Sequence, residues 1–265
     1  NGVITHFYLP EAPAKDSRVA LHFIQQGDTL VTLATDAKDK KDKLDVKKGL
    51  NTYVWDTRGA DAKRLEGMIL WSANLSGPKA VPGNYTVALE AGGYIRNADF
   101  KILPDPRAEA TVADMQAQYD FISGINATIN KAHEAIETIR SVNAKLAEFQ
   151  KTYKDDADQK SLVASAKALA EQLSTVEKAL YQTQNRSGQD PLNFPIRLTN
   201  KLGHLNSMAG MDDFAPTAQD LMVRDELTAK INEQMEAFSE AINKDLKAFN
   251  DAFSQAALPY LKVGS

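Results

Sequence analysis

A β-sandwich over residues 1–104, followed by an elongated antiparallel bundle of three to four helices over residues 108–265, is the fold that the sequence predicts. The first observation is compositional, since both tryptophans and nine of the 14 glycines lie before residue 104. The second is the spacing of apolar residues, which changes there from a strand period to a helix period. Short strands separated by glycine and proline are typical of an immunoglobulin- or fibronectin-like sandwich.

Two β-hairpins are predicted, each with a glycine-containing turn. Glycine adopts positive φ angles without the steric penalty of a Cβ atom, so it favours tight turns between strands. The predicted strand pairs are residues 19–24 with 29–33 around Gly27, and residues 84–91 with 94–101 around Gly92-Gly93.

Residues 51–56 are predicted to form a further strand, in which Tyr53 and Trp55 share a face because side chains alternate along a strand. We expect Trp55, Val54 or one of its neighbours, Tyr85 and Val87 to lie in the sandwich interior. The sandwich is expected to end at Pro104-Asp105-Pro106-Arg107, where two prolines hold the chain extended.

The second part is predicted to be helical and to begin with a long helix from Val112 to about Tyr153. Its apolar residues recur every three or four positions, which is typical of a left-handed coiled-coil seam. Thr111 and Asp114 are a plausible N-cap pair for this helix. The further helices are predicted from Leu162 to about Gln184, from Ile196 to Met208, and after a cap at Thr217 as far as Phe253.

Charge and composition exclude several classes of function. The chain has 31 basic and 35 acidic residues, so its charge gives no reason to expect binding to nucleic acid, which requires a basic face. It has no cysteine, which excludes disulfides and thiol catalysis. No apolar run reaches the roughly 20 residues that span a bilayer. Because residue 1 is Asn1, we expect a processed protein or an excised fragment.

No pattern for catalysis, a metal or a cofactor is present in the sequence. Phosphate-binding loops, zinc-protease motifs and serine-hydrolase motifs are all missing. The four histidines, at positions 6, 22, 133 and 204, are scattered along the chain, so we expect structural histidines. The sequence therefore predicts no catalytic residue, no metal ligand and no cofactor in this chain.

One cluster suggests a candidate ligand site. Tyr53, Trp55, Asp56 and Arg58 lie close together in sequence, and Trp71 is a further aromatic side chain that could approach them. Aromatic faces stack on sugar rings while charged groups bind hydroxyls, so this cluster indicates carbohydrate binding. The alternative interpretation is that Trp55 fills the core while Asp56 and Arg58 stabilise a turn.

Four segments, in the same order, resemble the C-terminal region of secreted sortilin-like, BNR-repeat β-propeller proteins, which are often labelled glycosyl hydrolases. The first of them is also similar to the immunoglobulin-like module of flagellar hook-capping proteins. The segments are Gly49 to Arg58 (G-x-N-x-x-x-W-D-x-R), Val81 to Val87 (like P-P-G-x-Y-x-V), Asp105-Pro106-Arg107, and Pro195 to Leu202 followed by Ala215-Pro216-Thr217.

The resemblance implies a region that follows a β-propeller in an exported bacterial protein. It also implies that any hydrolase site lies in the propeller, which is not present in this sequence. The expected partner is therefore an upstream β-propeller of the same polypeptide or another protein, and the implied location is secreted or periplasmic. The sequence by itself is equally compatible with the cytoplasm.

Three functions follow from these observations. The first is a non-catalytic accessory and interaction module, and the second is a carbohydrate-binding module. The third is a part of a glycoside hydrolase, for which no paired carboxylates can be chosen from sequence alone.

Overall fold

The computed structural model describes residues 2–14, 17–256 and 258. Within them a region of two β-sheets precedes a region of helices, which confirms the predicted order of β followed by α. The residues group into two compact units that alternate along the chain. The first unit contains the described residues up to Asp61, Ser76–Ser123 and Ala209–Pro216, and the second contains Ala62–Leu75, Gly124–Met208 and the described residues from Thr217.

Six strands form the two sheets of the described chain, and every pairing between them is antiparallel. The smaller sheet contains β1 (Val3–Leu9) and β4 (Gly49–Trp55). The larger sheet has the order β3-β2-β5-β6, with β2 at Val19–Gln25, β3 at Asp28–Ala34, β5 at Gly83–Ala91 and β6 at Tyr94–Ile102.

Both predicted hairpins are present. Gln26 and Gly27 connect β2 to β3 with φ angles of 51° and 93°, and Gly92 and Gly93 connect β5 to β6 with φ angles of 58° and 80°. Two successive residues with positive φ match the twist of antiparallel strands, which explains why glycine occurs in each turn. Strand β1 was not predicted, although its residues alternate between exposed and more buried positions along its whole length.

The core of the first unit takes side chains from both sheets. Trp55 is 1% exposed and stacks on Phe23 with 4.4 Å between the ring centroids. Tyr85 and Val87 are also buried, as predicted, and Tyr53 packs against the same cluster. Val54 points to the opposite face and is exposed, because successive side chains of a strand alternate.

Helix α1 extends from Val112 to Tyr153, in agreement with the prediction. Thr111 and Asp114 form the expected N-terminal cap, since the Asp114 amide donates to Thr111 Oγ1 at 3.2 Å and the Thr111 amide donates to Asp114 Oδ2 at 2.8 Å. Ile125 and Ile136 belong to the second unit and are fully buried. The predicted apolar spacing therefore corresponds to a buried face of the helix.

The remaining helices are α2 (Lys160–Leu180), α3 (Leu198–Ala209), α4 (Ala218–Glu240) and α5 (Lys247–Gln255). Helix α2 ends earlier than predicted because Tyr181 has an extended backbone conformation. A capping box of Thr217 and Asp220 begins α4, as expected. A π-helical segment, Ala241–Leu246, connects α4 to α5.

Polar and aromatic contacts join the helices of the second unit. Arg140 of α1 donates through Nε to Glu177 Oε1 of α2 at 2.7 Å, and Asn143 Nδ2 donates to Ser174 Oγ at 3.1 Å. At the far end of α1, the Phe149 ring lies 5.3 Å from the Phe249 ring of α5. These contacts show that α1 packs against both α2 and α5.

Residues 62–75 have no regular secondary structure and belong to the helical unit. Side chains from α1, from the residue that follows α2 and from α3 bind their backbone: Asn130 Oδ1 accepts from the Lys63 amide at 2.7 Å, Tyr181 Oη accepts from the Ile69 amide at 3.0 Å, and Asn200 binds Trp71. Buried backbone groups require such partners where no strand pairs with them. The compact units therefore do not coincide with the predicted division at residues 104–107.

Candidate functional site

Trp55, the centre of the predicted ligand cluster, fills the core as the alternative interpretation expected. Its indole Nε1 donates to the Arg58 carbonyl at 2.7 Å, and its ring is covered by Phe23. Tyr53 is half-buried beside it, and burial, followed by the nearby Asp56 carboxylate, raises the pKa of its phenol. The Trp55 ring is therefore enclosed, and the Tyr53 ring is partly covered by the same core.

Trp71, the other predicted aromatic residue, belongs to the second unit. Its amide donates to Asn200 Oδ1 at 2.8 Å, and its carbonyl accepts from Asn200 Nδ2 at 2.9 Å. One side-chain amide thus pairs with both backbone groups, as a neighbouring strand would. Trp71 is half-buried, and its position depends on α3.

Asp56 and Arg58 lie on either side of a strained turn in the first unit. Asp56 Oδ1 accepts from the Arg58 amide at 3.0 Å, and Arg58 Nη1 donates to the Gly77 carbonyl at 3.1 Å. Thr57 between them has a φ of 65°, which is costly for a β-branched residue. Such strain persists only where surrounding contacts hold it, so the turn fixes both charged side chains in place.

These two charged residues line a groove of about 580 Å³ in the first unit, which we call the corner groove. Its other walls are Lys79, the segment 107–110 and the loop 210–214, together with Gln118 of α1. The volume lies within the range of about 300–1,000 Å³ that is usual for ligand sites. The sequence predicted Asp56 and Arg58 as site residues but gave no indication of the loop, which is distant from them along the chain.

Gln118 holds that loop in position. Its side chain is buried, and Nε2 lies 2.8 Å from the Ala209 carbonyl oxygen, 2.7 Å from that of Asp212 and 3.1 Å from that of Phe214. The amide of Phe214 also donates to Asp212 Oδ1 at 3.0 Å. These contacts hold the backbone of the loop, and the side chain of Phe214 on this loop is 53% exposed.

Charges of both signs line the corner groove. Lys79 Nζ lies 2.8 Å from Asp213 Oδ1, which forms an ion pair at the groove. Arg107 binds Asp105 through two side-chain nitrogens, and these hydrogen bonds hold the pKa of Asp105 well below its ordinary value. The charged lining residues are Asp56, Arg58, Lys79, Arg107, Glu109, Asp212 and Asp213.

Four of the six side chains on the outer face of the β1–β4 sheet are apolar. Ile4 pairs with Val54, and Tyr8 pairs with Leu50 in the register of the two strands. All four side chains are exposed, and Tyr8 is 66% exposed. His6 and Thr52 lie between the two pairs and share a hydrogen bond of 3.0 Å. We call these six residues the β1–β4 outer face.

The motif residues of the sequence resemblance have structural functions. Asn51 binds both backbone groups of Lys47, with its Oδ1 accepting at 2.8 Å and its Nδ2 donating at 2.8 Å. Tyr85 Oη donates to the Val81 carbonyl at 2.5 Å, which is the arrangement of a tyrosine corner. Together with Trp55 and Asn200, these residues hold turns and segments in place. Their contacts within the fold therefore explain why these residue types occur at these positions.

Each of the four histidines has a polar partner within its own unit, and this agrees with the expectation of structural histidines. The partners are Thr52 for His6, Thr32 and Glu90 for His22, the Lys63 carbonyl for His133 and the Ser72 carbonyl for His204. Within residues 2–14, 17–256 and 258, no group of three or more histidine, aspartate or glutamate side chains could hold a metal ion.

None of the helices that the structure describes combines the length and the apolar character needed to cross a membrane. The chain matches no protein-family model, and comparisons with curated proteins and with solved structures find no significant match.

Proposed function

We propose that this chain is a non-catalytic interaction module, in which the two sheets form an immunoglobulin-like sandwich and the helices form an elongated bundle. The observation that supports this function best is the β1–β4 outer face. Ile4, Tyr8, Leu50 and Val54 are exposed apolar side chains on one face of two paired strands, with the His6–Thr52 pair between the two apolar pairs. Contiguous exposed apolar patches on proteins mark interaction sites more often than isolated apolar residues do.

The chemistry of the outer face indicates the kind of partner. None of its six side chains is an aspartate, glutamate, lysine or arginine, so a charged ligand would find no counter-charge on the face itself. A second apolar protein surface would bury these side chains, with the His6–Thr52 pair as the polar group at the centre. We therefore propose a folded protein domain as the partner.

The sequence resemblance suggests which domain this is. In sortilin-like, BNR-repeat proteins the similar region follows a β-propeller, so we propose that the outer face packs on such a propeller, in the same polypeptide or in another protein. The proposed location, by the same resemblance, is secreted or periplasmic. This placement is supported only by the four sequence segments that occur in the same order as in those proteins.

The perturbed carboxylates favour a structural role over catalysis. In active sites, burial, neighbouring like charges and helix dipoles shift the pKa values of catalytic groups. Here the pKa of Asp114 is lowered by its capping bonds with Thr111, and that of Asp190 by backbone amides of Arg186 and Ser187. The pKa of Glu226 is lowered by its hydrogen bond with Lys230 on the next turn of α4. These causes are helix caps, turns and ion pairs.

Site-specific photo-crosslinking in cells of the source organism tests the proposed function. A photoreactive phenylalanine analogue replaces Tyr8 on the outer face or, as the matched control, Tyr94, which is 74% exposed on β6. We expect one partner protein to crosslink at position 8 and not at position 94. The purified partner should then bind the chain, and Leu50→Lys should abolish that binding. Equal crosslinking at both positions, or binding that tolerates Leu50→Lys, would contradict the proposal.

A further inference from the structure

We propose that the corner groove binds a short neutral oligosaccharide, with Phe214 as its stacking platform and Asp56 and Arg58 among its hydrogen-bonding groups. This site is distinct from the β1–β4 outer face, because none of the six residues of that face lines the groove. The inference therefore stands independently of the proposed partner protein.

The charge pattern of the groove supports a neutral ligand. Three basic and four acidic side chains line it, so their formal charges sum to −1. A strongly charged ligand of either sign would meet like charges along part of the groove. A hydroxyl group both donates and accepts hydrogen bonds, so a sugar can use carboxylates and guanidinium groups together.

Phe214 supplies the aromatic surface that Trp55 does not. Its ring is 53% exposed, and its backbone is held on both sides, since its amide donates to Asp212 Oδ1 and its carbonyl lies near Gln118 Nε2. An aromatic ring with an apolar face and fixed backbone suits the C–H face of a pyranose ring. The groove thus contains the aromatic, acidic and basic side chains that the sequence predicted for a sugar site, but its aromatic residue is Phe214, which lies far from Asp56 and Arg58 in sequence.

Charged side chains that line the corner groove with Phe214 form hydrogen bonds or an ion pair within the first unit. Asp56 Oδ1 accepts from the Arg58 amide, Arg58 Nη1 donates to the Gly77 carbonyl, and Lys79 forms an ion pair with Asp213. Among the described residues, the Arg58 guanidinium donates only to the Gly77 carbonyl, through Nη1, which leaves further N–H groups for a ligand. Preorganised side chains lose less conformational freedom on binding, which favours affinity.

Saturation-transfer NMR on the full chain tests the site. The neutral probes are cellotetraose, maltotetraose, xylotetraose and tetra-N-acetylchitotetraose, and the charged probes are a galacturonate oligomer and a peptide of alternating lysine and aspartate. We expect saturation transfer to at least one neutral oligosaccharide at millimolar concentration. Transfer to the charged probes alone would indicate a charged saccharide or a peptide as the ligand and would overturn the proposal. The absence of transfer to every neutral probe would also overturn it.

Matched variants locate the binding. Phe214→Ala should weaken binding by about tenfold or more, because it removes the stacking surface. Asp56→Asn keeps an oxygen for the Arg58 amide and preserves the turn, yet loses the carboxylate charge, so it should also weaken binding. Tyr94→Ala removes an exposed aromatic ring outside the groove and should leave affinity unchanged. Equal affinity for Phe214→Ala and the unmodified chain would overturn the assignment.

Discussion

Trp55 connects the two sheets of the first unit, because its ring stacks on Phe23 and its indole donates to the Arg58 carbonyl. Trp55→Ala should lower the free energy of unfolding by about 3–5 kcal/mol, since it leaves a large cavity and removes a buried hydrogen bond. Urea denaturation measures this loss. Tyr94→Ala, at an exposed ring, is the control and should change stability little. A loss below about 1 kcal/mol for Trp55→Ala would contradict a core role.

His133 makes stability depend on pH. Its Nδ1 lies 2.5 Å from the Lys63 carbonyl, and among the described residues its buried Nε2 has no hydrogen-bond partner. Burial lowers the pKa of this imidazole below its ordinary value of 6.5, and this effect outweighs the hydrogen bond with Lys63. The folded chain therefore binds fewer protons than the unfolded chain below about pH 6.5, so stability decreases as the pH falls.

The measurement for His133 is the urea midpoint at several pH values between neutral and about pH 5, where ordinary carboxylates stay ionised. The unmodified chain should lose stability over this range. His133→Asn places an amide nitrogen near the position of Nδ1, so it keeps a donor for the Lys63 carbonyl, and it has no titrating group, so its stability should depend less on pH. Parallel pH profiles for the two proteins would show that His133 does not cause the effect.

At the scale of elements, the segment 62–75 depends on side chains of the helices. Asn200→Asp replaces the donor that binds the Trp71 carbonyl with a carboxylate oxygen, at a position that is buried. We expect a loss of about 1–3 kcal/mol in stability. Hydrogen–deuterium exchange should accelerate across residues 69–75 and leave the strands unchanged. Asn193→Asp introduces the same charge at an exposed position and is the control; equal exchange in both variants would contradict this role for Asn200.

Elements governed by local spacing could be predicted from the sequence, whereas those that depend on distant partners could not. The long helix from Val112 to Tyr153 and both hairpins follow from periodicity and turn glycines, and they were predicted closely. The segment 62–75 contains no periodic pattern, and Asn130 and Tyr181, which bind its backbone, are distant from it in sequence. The same reason applies to the corner groove, where Asp56 was predicted and Phe214 was not, since a different segment supplies it.

At the scale of the whole molecule, the alternation of the two units along the chain predicts that cutting the chain at residues 104–107 does not give two fragments that fold separately. A fragment of residues 108–265 lacks residues 62–75, so Asn130, Tyr181 and Asn200 lose their backbone partners. A fragment of residues 1–104 lacks residues 112–123 and 209–216 of its own unit. We expect both fragments to unfold without the cooperativity of the intact chain, as followed by circular dichroism.

The control for the fragments is the folded chain with a protease site inserted between residues 104 and 107 and cleaved after folding. This nicked protein contains every segment of both units, so it should remain folded. If the separate fragment 108–265 unfolds as cooperatively as the intact chain, the sequence-based division at the linker is correct and the interleaved units are not needed for stability.

Interleaving also determines the order of events while the ribosome makes the chain. Residues 62–75 emerge well before Asn130, Tyr181 and Asn200, so their backbone must wait for partners that are still to be synthesised. Contacts between distant parts of a sequence form slowly, and nascent segments without partners are prone to aggregation. The backbone of the Trp71 region therefore has no partner until Asn200 is synthesised, and the second unit can be completed only late in translation.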